Sequence, residues 1–125
     1  MTIHYGIIGC GMMGQEHLRN IALLEDAATK VIYEPDPEMA ARALQLAPQA
    51  VLADNIDRLL AHDQLDCLLI ASPNFCHVDQ LEAIAASVTL PILVEKPLFT
   101  KPEDWSRLES FKRRYKAPVW VAMEY

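Results

Sequence analysis

The sequence predicts an α/β protein: a doubly wound parallel sheet with helices on both faces. Three observations predict it. Apolar runs of strand length alternate with segments of helical period through the 125 residues, the pattern of parallel βαβ units covered on both sides. All four glycines fall in the first fourteen residues, and three of them spell Gly9-Cys10-Gly11-Met12-Met13-Gly14 directly after the apolar run Tyr5-Gly6-Ile7-Ile8. An acidic residue, Glu34, closes the second apolar run twenty residues after Gly14. With 52% apolar residues and no linker, repeat or low-complexity tract, residues 1–125 are expected to form one domain.

The first strand is expected over Ile3–Ile8, the first helix over Met12–Leu24 and the second strand over Thr29–Glu34. Asp36-Pro37-Glu38 supplies an N-cap, a proline suited to the first helical position and an acid in the first turn, so a helix should run to about Ala47. A short third strand over Ala50–Ala53 precedes a brief helix capped by Asp54 or Asn55 and ending at Leu60. Cys67–Ala71 reads as a fully buried strand broken by Ser72-Pro73-Asn74. A helix over His77–Ala86 presents Val78, Leu81, Ile84 and Ala85 on one stripe, and Pro91–Val94 is the fifth strand. Thr100-Lys101-Pro102-Glu103 has the form of a capping box and should start a helix running to Tyr115, before a sixth strand over Pro118–Met123.

The glycine spacing carries the first functional expectation. A strand that turns sharply into a helix while its backbone meets a pyrophosphate needs a tight bend, a contact point without a side chain, and close packing of helix on strand. G-x-G-x-x-G answers those needs in order. The donors would be backbone amides near Met12 and Met13 at the helix N-terminus, with the methionine side chains themselves packing residues. Glu34 should accept hydrogen bonds from the adenosine ribose hydroxyls and repel the extra phosphate of NADP, which predicts NAD as cofactor and NADP as the weaker ligand. Arg42 lies a helical turn too deep for a phosphate partner. Lys96, between Glu95 and Pro97 after the fifth strand, stands at the sheet edge where such folds bind ligands, and can hydrogen-bond a substrate hydroxyl and help move its proton. Burial would lower its proton affinity and Glu95 would raise it.

Other classes are disfavoured. A net charge of −6 argues against a nucleic-acid partner, and Lys112, Arg113, Arg114 and Lys116 are expected to be a solvated helix end. Cys10, Cys67 and Cys76 form no C-x-x-C pair and suit reduced thiols in the cytoplasm. His4, His17, His62 and His77 show no ligand spacing, so no metal is expected. No basic leader and no run of about eighteen apolar residues points to export or a membrane.

Residues 6–17, Glu34-Pro35-Asp36-Pro37, Ile70-Ala71-Ser72-Pro73-Asn74 with His77, and Val94-Glu95-Lys96-Pro97-Leu98 together resemble the N-terminal domain of the Gfo/Idh/MocA family, the glucose-fructose oxidoreductases and inositol dehydrogenases. The resemblance spans the chain and implies a Rossmann-type cofactor domain. It implies that Gly9, Gly11 and Gly14 wrap the pyrophosphate and that Glu34 replaces the family's usual Asp. By the same resemblance Ser72, Pro73 and Asn74 line the pyrophosphate and nicotinamide-ribose side with His77 beyond them, Glu95 orients the nicotinamide ribose, and Lys96 is the catalytic lysine. The Lys96-Pro97 bond is then a candidate for the cis form. Two departures stand out. Family members continue into a second α/β domain that supplies most substrate contacts and the main oligomer surface, and Glu124-Tyr125 resembles the crossing point into it. The glycine usual before the fifth strand is replaced by Ser87-Val88-Thr89-Leu90.

The expected function is that of the cofactor domain of an NAD-dependent dehydrogenase. It would move hydride to or from an alcohol or carbonyl of a sugar or cyclitol-like substrate, as a homo-oligomer at full length. As a 125-residue truncated chain it would bind cofactor with little or no turnover. Two rival readings remain: a non-catalytic regulator that senses dinucleotides, and a fragment that folds without binding.

Overall fold

The computed structural model describes residues 1–122; Met123, the end of the sixth expected strand, and the Glu124-Tyr125 crossing point lie outside the described residues. The strands are β1 (Ile3–Ile8), β2 (Ala27–Tyr33), β3 (Val51–Leu52), β4 (Cys67–Ile70), β5 (Ile92–Glu95) and β6 (Val119–Ala122). They form one sheet in the order β3-β2-β1-β4-β5-β6, and every adjacent pair is parallel. The helices are α1 (Met12–Ala22), α2 (Pro37–Leu46), α3 (Ile56–Leu60), α4 (His77–Ala85) and α5 (Asp104–Arg114), with a single 3-10 turn over Asn74–Cys76 ahead of α4.

Period-two alternation divides the strand side chains between two apolar clusters. Ile7, Ile32 and Leu69 pack with Leu18 and Ile21 of α1 and Ala43 of α2. Ile8, Val31, Leu68, Ile70, Ile92 and Val94 face the other way, against Leu59, Leu81, Ile84, Leu108 and Phe111 of α3, α4 and α5. The chain starts at β1, winds outward through β2 and β3, and returns to β4 on the far side of β1. The winding direction therefore reverses between β1 and β4, and a crevice opens at their carboxyl ends, the place where such sheets bind ligands.

The expected elements occur in the expected order, with boundaries moved for identifiable reasons. β2 begins two residues early because Ile3 pairs with Ala27 and its N–H donates to the Asp26 carbonyl. α1 ends at Ala22 rather than Leu24, since Leu23 and Leu24 donate back to Asn20 and Ile21 in tight i→i−3 bonds. β3 shrinks to two exposed residues at the sheet edge. The Thr100 capping box does not form: Asp104 and Trp105 donate to the carbonyls of Lys101 and Pro102, and that tight turn starts α5 at Asp104, with no side chain capping it. The turn that lacks the family's glycine closes without one. Ser87 and Val88 both donate to the Ile84 carbonyl, and among the described residues only Gly9 and Gln64 take positive φ.

Candidate functional site

The three glycines of the first turn do different jobs. Gly9 ends β1 at φ +92°, a left-handed conformation, and a Cβ there would lie 2.4 Å from the backbone N and Cα of Ser72 in the turn after β4. A Cβ on Gly14 would lie 2.2 Å from the Gly9 carbonyl oxygen. Both are thus glycine because the protein packs against them. Gly11 is different: the nearest atom its Cβ would meet is the Met39 sulfur at 3.9 Å, ordinary contact. Nothing among the described residues excludes a side chain there; a pyrophosphate drawn against the backbone is what would require its bareness.

Gly11 is also the N-cap of α1 and brings no capping side chain, and the first turn contains no acid. The contrast with α2 is clear, where Asp36 accepts from the N–H groups of Glu38 and Met39. The positive end of α1 therefore has neither a side-chain cap nor an acid to offset it. Met12 is 85% exposed, which corrects the expectation that it packs, whereas Met13, at 37% exposed, is partly covered.

Glu34 follows β2, and its carboxylate is held at both oxygens. The N–H of Cys10 donates to Oε1 at 2.6 Å and that of Asp36 to Oε2 at 2.9 Å. Each oxygen keeps a further lone pair for a ribose hydroxyl. The buried Cys10 thiol is pushed up to about 12 by burial first and by the Glu34 charge second, so it stays protonated beneath the loop. Arg42 is turned away from the site, paired with Glu38 at 3.1 Å on the exposed side of α2.

On the β4 side, Pro73 and Asn74 are exposed at the crevice rim, whereas Ser72 is buried. Its hydroxyl donates to Gln80 Oε1, so only its main chain faces the glycine turn. His77 is fully buried, with Nδ1 2.8 Å from the Pro97 carbonyl oxygen and Nε2 2.9 Å from that of Ser72. Both ring nitrogens lie against main-chain carbonyls, and the ring N–H donates to one of them according to tautomer. His77 is a strut between the turns after β4 and β5, not a group open to a ligand.

The Lys96-Pro97 bond is cis. Glu95 is the last residue of β5, and alternation sends its side chain with Leu93 toward the α1 face while Ile92 and Val94 face α4 and α5. There it meets His17 of α1, with Nε2 2.5 Å from Oε1. Lys96 lies just past the strand and is exposed, and among the described residues its ammonium joins no ion pair or hydrogen bond. The expectation that Lys96 is buried is therefore corrected, and the Glu95 carboxylate beside it pairs with His17. A groove of about 750 Å³ between α5 and β6, lined by Leu98, Trp105, Leu108 and Val121, contains none of these residues.

Residues 3–123 match the family described as "Oxidoreductase family, NAD-binding Rossmann fold", GFO_IDH_MocA. This chain belongs to the Gfo/Idh/MocA family. Over 118 residues it is 34% identical to inositol 2-dehydrogenase of Corynebacterium glutamicum strain R, covering 94% of this chain and 35% of that one. Over 117 residues it is 35% identical to the rhizopine catabolism protein MocA of Rhizobium meliloti, covering 93% and 36%. The chain spans about a third of the length of these relatives. Its fold superposes with TM-score 0.87 on myo-inositol dehydrogenase from Lactobacillus casei in complex with NAD(H) and myo-inositol, at 25% identity over 98% of this chain and 37% of that one. No helix among the described residues is long and apolar enough to cross a membrane.

Metal-ligand spacing does not single out His17 among the histidines. A usable signal existed: Gly14, His17, Leu18 and Ile21 form one i, i+3, i+4, i+7 stripe, which places the imidazole on the sheet-facing side of α1.

Proposed function

We propose that this chain is the cofactor-binding part of an NAD-dependent dehydrogenase whose substrate is an alcohol or carbonyl compound of the sugar or cyclitol class. The observation that carries the reading is the contrast among the glycines: Gly9 and Gly14 are demanded by the protein, whereas nothing among the described residues demands Gly11, beside an uncapped helix N-terminus. NAD, when bound, supplies a nicotinamide that accepts or returns a hydride. The chain's own residues would do the rest. Amides of Met12 and Met13 bind the pyrophosphate, Pro73 and Asn74 flank it, and the Glu34 carboxylate accepts from the adenosine ribose hydroxyls and repels a 2′-phosphate. Glu95 orients the nicotinamide ribose. Lys96 hydrogen-bonds the substrate hydroxyl and helps carry its proton during hydride transfer.

Substrate contacts beyond Lys96 and a homo-oligomeric interface belong, on this reading, to a longer protein of the relatives' length. A location in the cytoplasm suits the three free thiols.

The test is a calorimetric titration of the chain with NADH and NADPH. NADH is expected to bind at least about tenfold more tightly, the scale of one well-placed charged interaction, and Glu34→Ala to narrow the gap. Equal affinities would remove Glu34 from its role, and no binding of either would overturn the reading as a whole.

A further inference from the structure

The Glu95-Lys96-Pro97 turn is held from both faces of the sheet. From the α4 side, His77 ties the Pro97 carbonyl to that of Ser72. From the α1 side, His17 takes Oε1 of Glu95 at 2.5 Å. The two histidines differ in what they grip. His77 is packed between two main-chain carbonyls, whereas His17 grips the side chain that is proposed to meet the ligand.

We propose that His17 is a positioning residue for the nicotinamide half of the cofactor, acting through the Glu95 carboxylate. The inference rests on the proposed dinucleotide function. Unpaired, a carboxylate on a long side chain samples several rotamers and would also be drawn to the neighbouring Lys96 ammonium. His17 fixes Oε1 and leaves Oε2 as the free acceptor. Among the described residues no buried side-chain oxygen or nitrogen lacks a partner, so Oε2, which has no protein partner, is not sealed from solvent and is the oxygen a ligand hydroxyl would use. The same pairing leaves the Lys96 ammonium uncommitted. His17 lies three residues after Gly14 on the buried stripe of α1, so the helix whose N-terminus takes the pyrophosphate also sets the carboxylate at the other end of the crevice.

The test uses the 125-residue chain and two ligands. NADH carries the nicotinamide ribose; ADP keeps the adenosine and both phosphates and lacks that ribose. His17→Ala is expected to weaken NADH about fivefold to tenfold, the scale of one misdirected charged hydrogen bond, and to leave ADP within about twofold. His17→Gln, whose amide N–H donates to the same carboxylate, should recover most of the loss, and its unfolding midpoint shows that the fold is intact. In a Glu95→Ala background, His17→Ala should add nothing. The proposal is overturned if NADH affinity is unchanged in His17→Ala, if ADP weakens in parallel, or if the full effect persists without Glu95. A parent chain that binds neither ligand overturns instead the dinucleotide function beneath it.

Discussion

At the scale of single residues, the turn after β1 holds two glycines that the protein packs against and one, Gly11, that it does not, and alanine can tell them apart. Gly9→Ala would put a Cβ 2.4 Å from Ser72 backbone at a φ of +92°, so the turn cannot form and the chain should lose most of its stability. Gly11→Ala meets only ordinary contact and a negative φ, so its unfolding midpoint should stay close to that of the parent while NADH affinity falls at least about tenfold. Thermal unfolding beside calorimetry checks both; a Gly11→Ala chain that binds normally would mean that no ligand approaches that position. The glycines, Glu34 and Lys96 were legible as candidates because their signals are local in sequence. The partners of Glu34 and Glu95 were not. The bond from His17 to Glu95 joins residues 78 apart, and only the parallel order of the sheet brings them together. Ser72 and His77 were legible as part of the turn after β4, but the inward rotation of both side chains depends on Gln80 and on Pro97, which spacing does not reveal.

At the scale of elements, the caps divide by how local their physics is. Asp36 and Asn55 cap α2 and α3 as their sequences suggested, because each bonds an N–H two or three residues on. Thr100 does not cap α5, since Lys101-Pro102-Glu103 first closes a tight turn of its own. The turn before β5 shows a tertiary substitute for a local signal. At the end of the Ser87-Val88-Thr89-Leu90 stretch, Leu90 is gripped at both main-chain groups by Tyr115: its N–H donates to the hydroxyl at 2.8 Å and its carbonyl accepts from it at 2.5 Å. Tyr115→Phe keeps the ring stacked on Phe111, whose centroid lies 5.0 Å away, and removes both bonds. It should cost about 1–3 kcal/mol, because a part-buried N–H and C=O lose their partner. NADH affinity should not change, since none of the site residues touches this staple. A thermal melt beside the NADH titration checks both halves.

At the scale of the whole molecule, the fold was readable because each apolar run alternates with a helix stripe, and a parallel sheet allows few ways to connect them. The site then follows from topology: the reversal between β1 and β4 opens the crevice, and the turns after β1, β2, β4 and β5 all deliver residues to the same edge. One consequence of that burial belongs to the molecule as a unit. Cys10 is pushed up to about 12 and Cys67 to about 11 from an ordinary 9.0, each by burial first and then by a carboxylate, Glu34 and Asp66 respectively. Burial also raises Tyr5 and Tyr115. For such groups the unfolded chain releases its protons first as pH rises, so the folded state holds more protons than the unfolded one between the two values. The thiol contribution is therefore complete below the unfolded value of 9.0 and is lost as pH climbs toward about 12. Between its unfolded and folded values each of the two thiols steepens the decline by up to about 1.4 kcal/mol per pH unit. Urea midpoints should hold steady up to about pH 8 and fall progressively above about pH 9. Cys10→Ala should show a shallower fall over the same range, because one of the titrating groups is gone. An identical slope in the two chains would mean that the Cys10 thiol ionises as readily in the folded protein as in the unfolded chain, and that the glycine turn does not seal it from water.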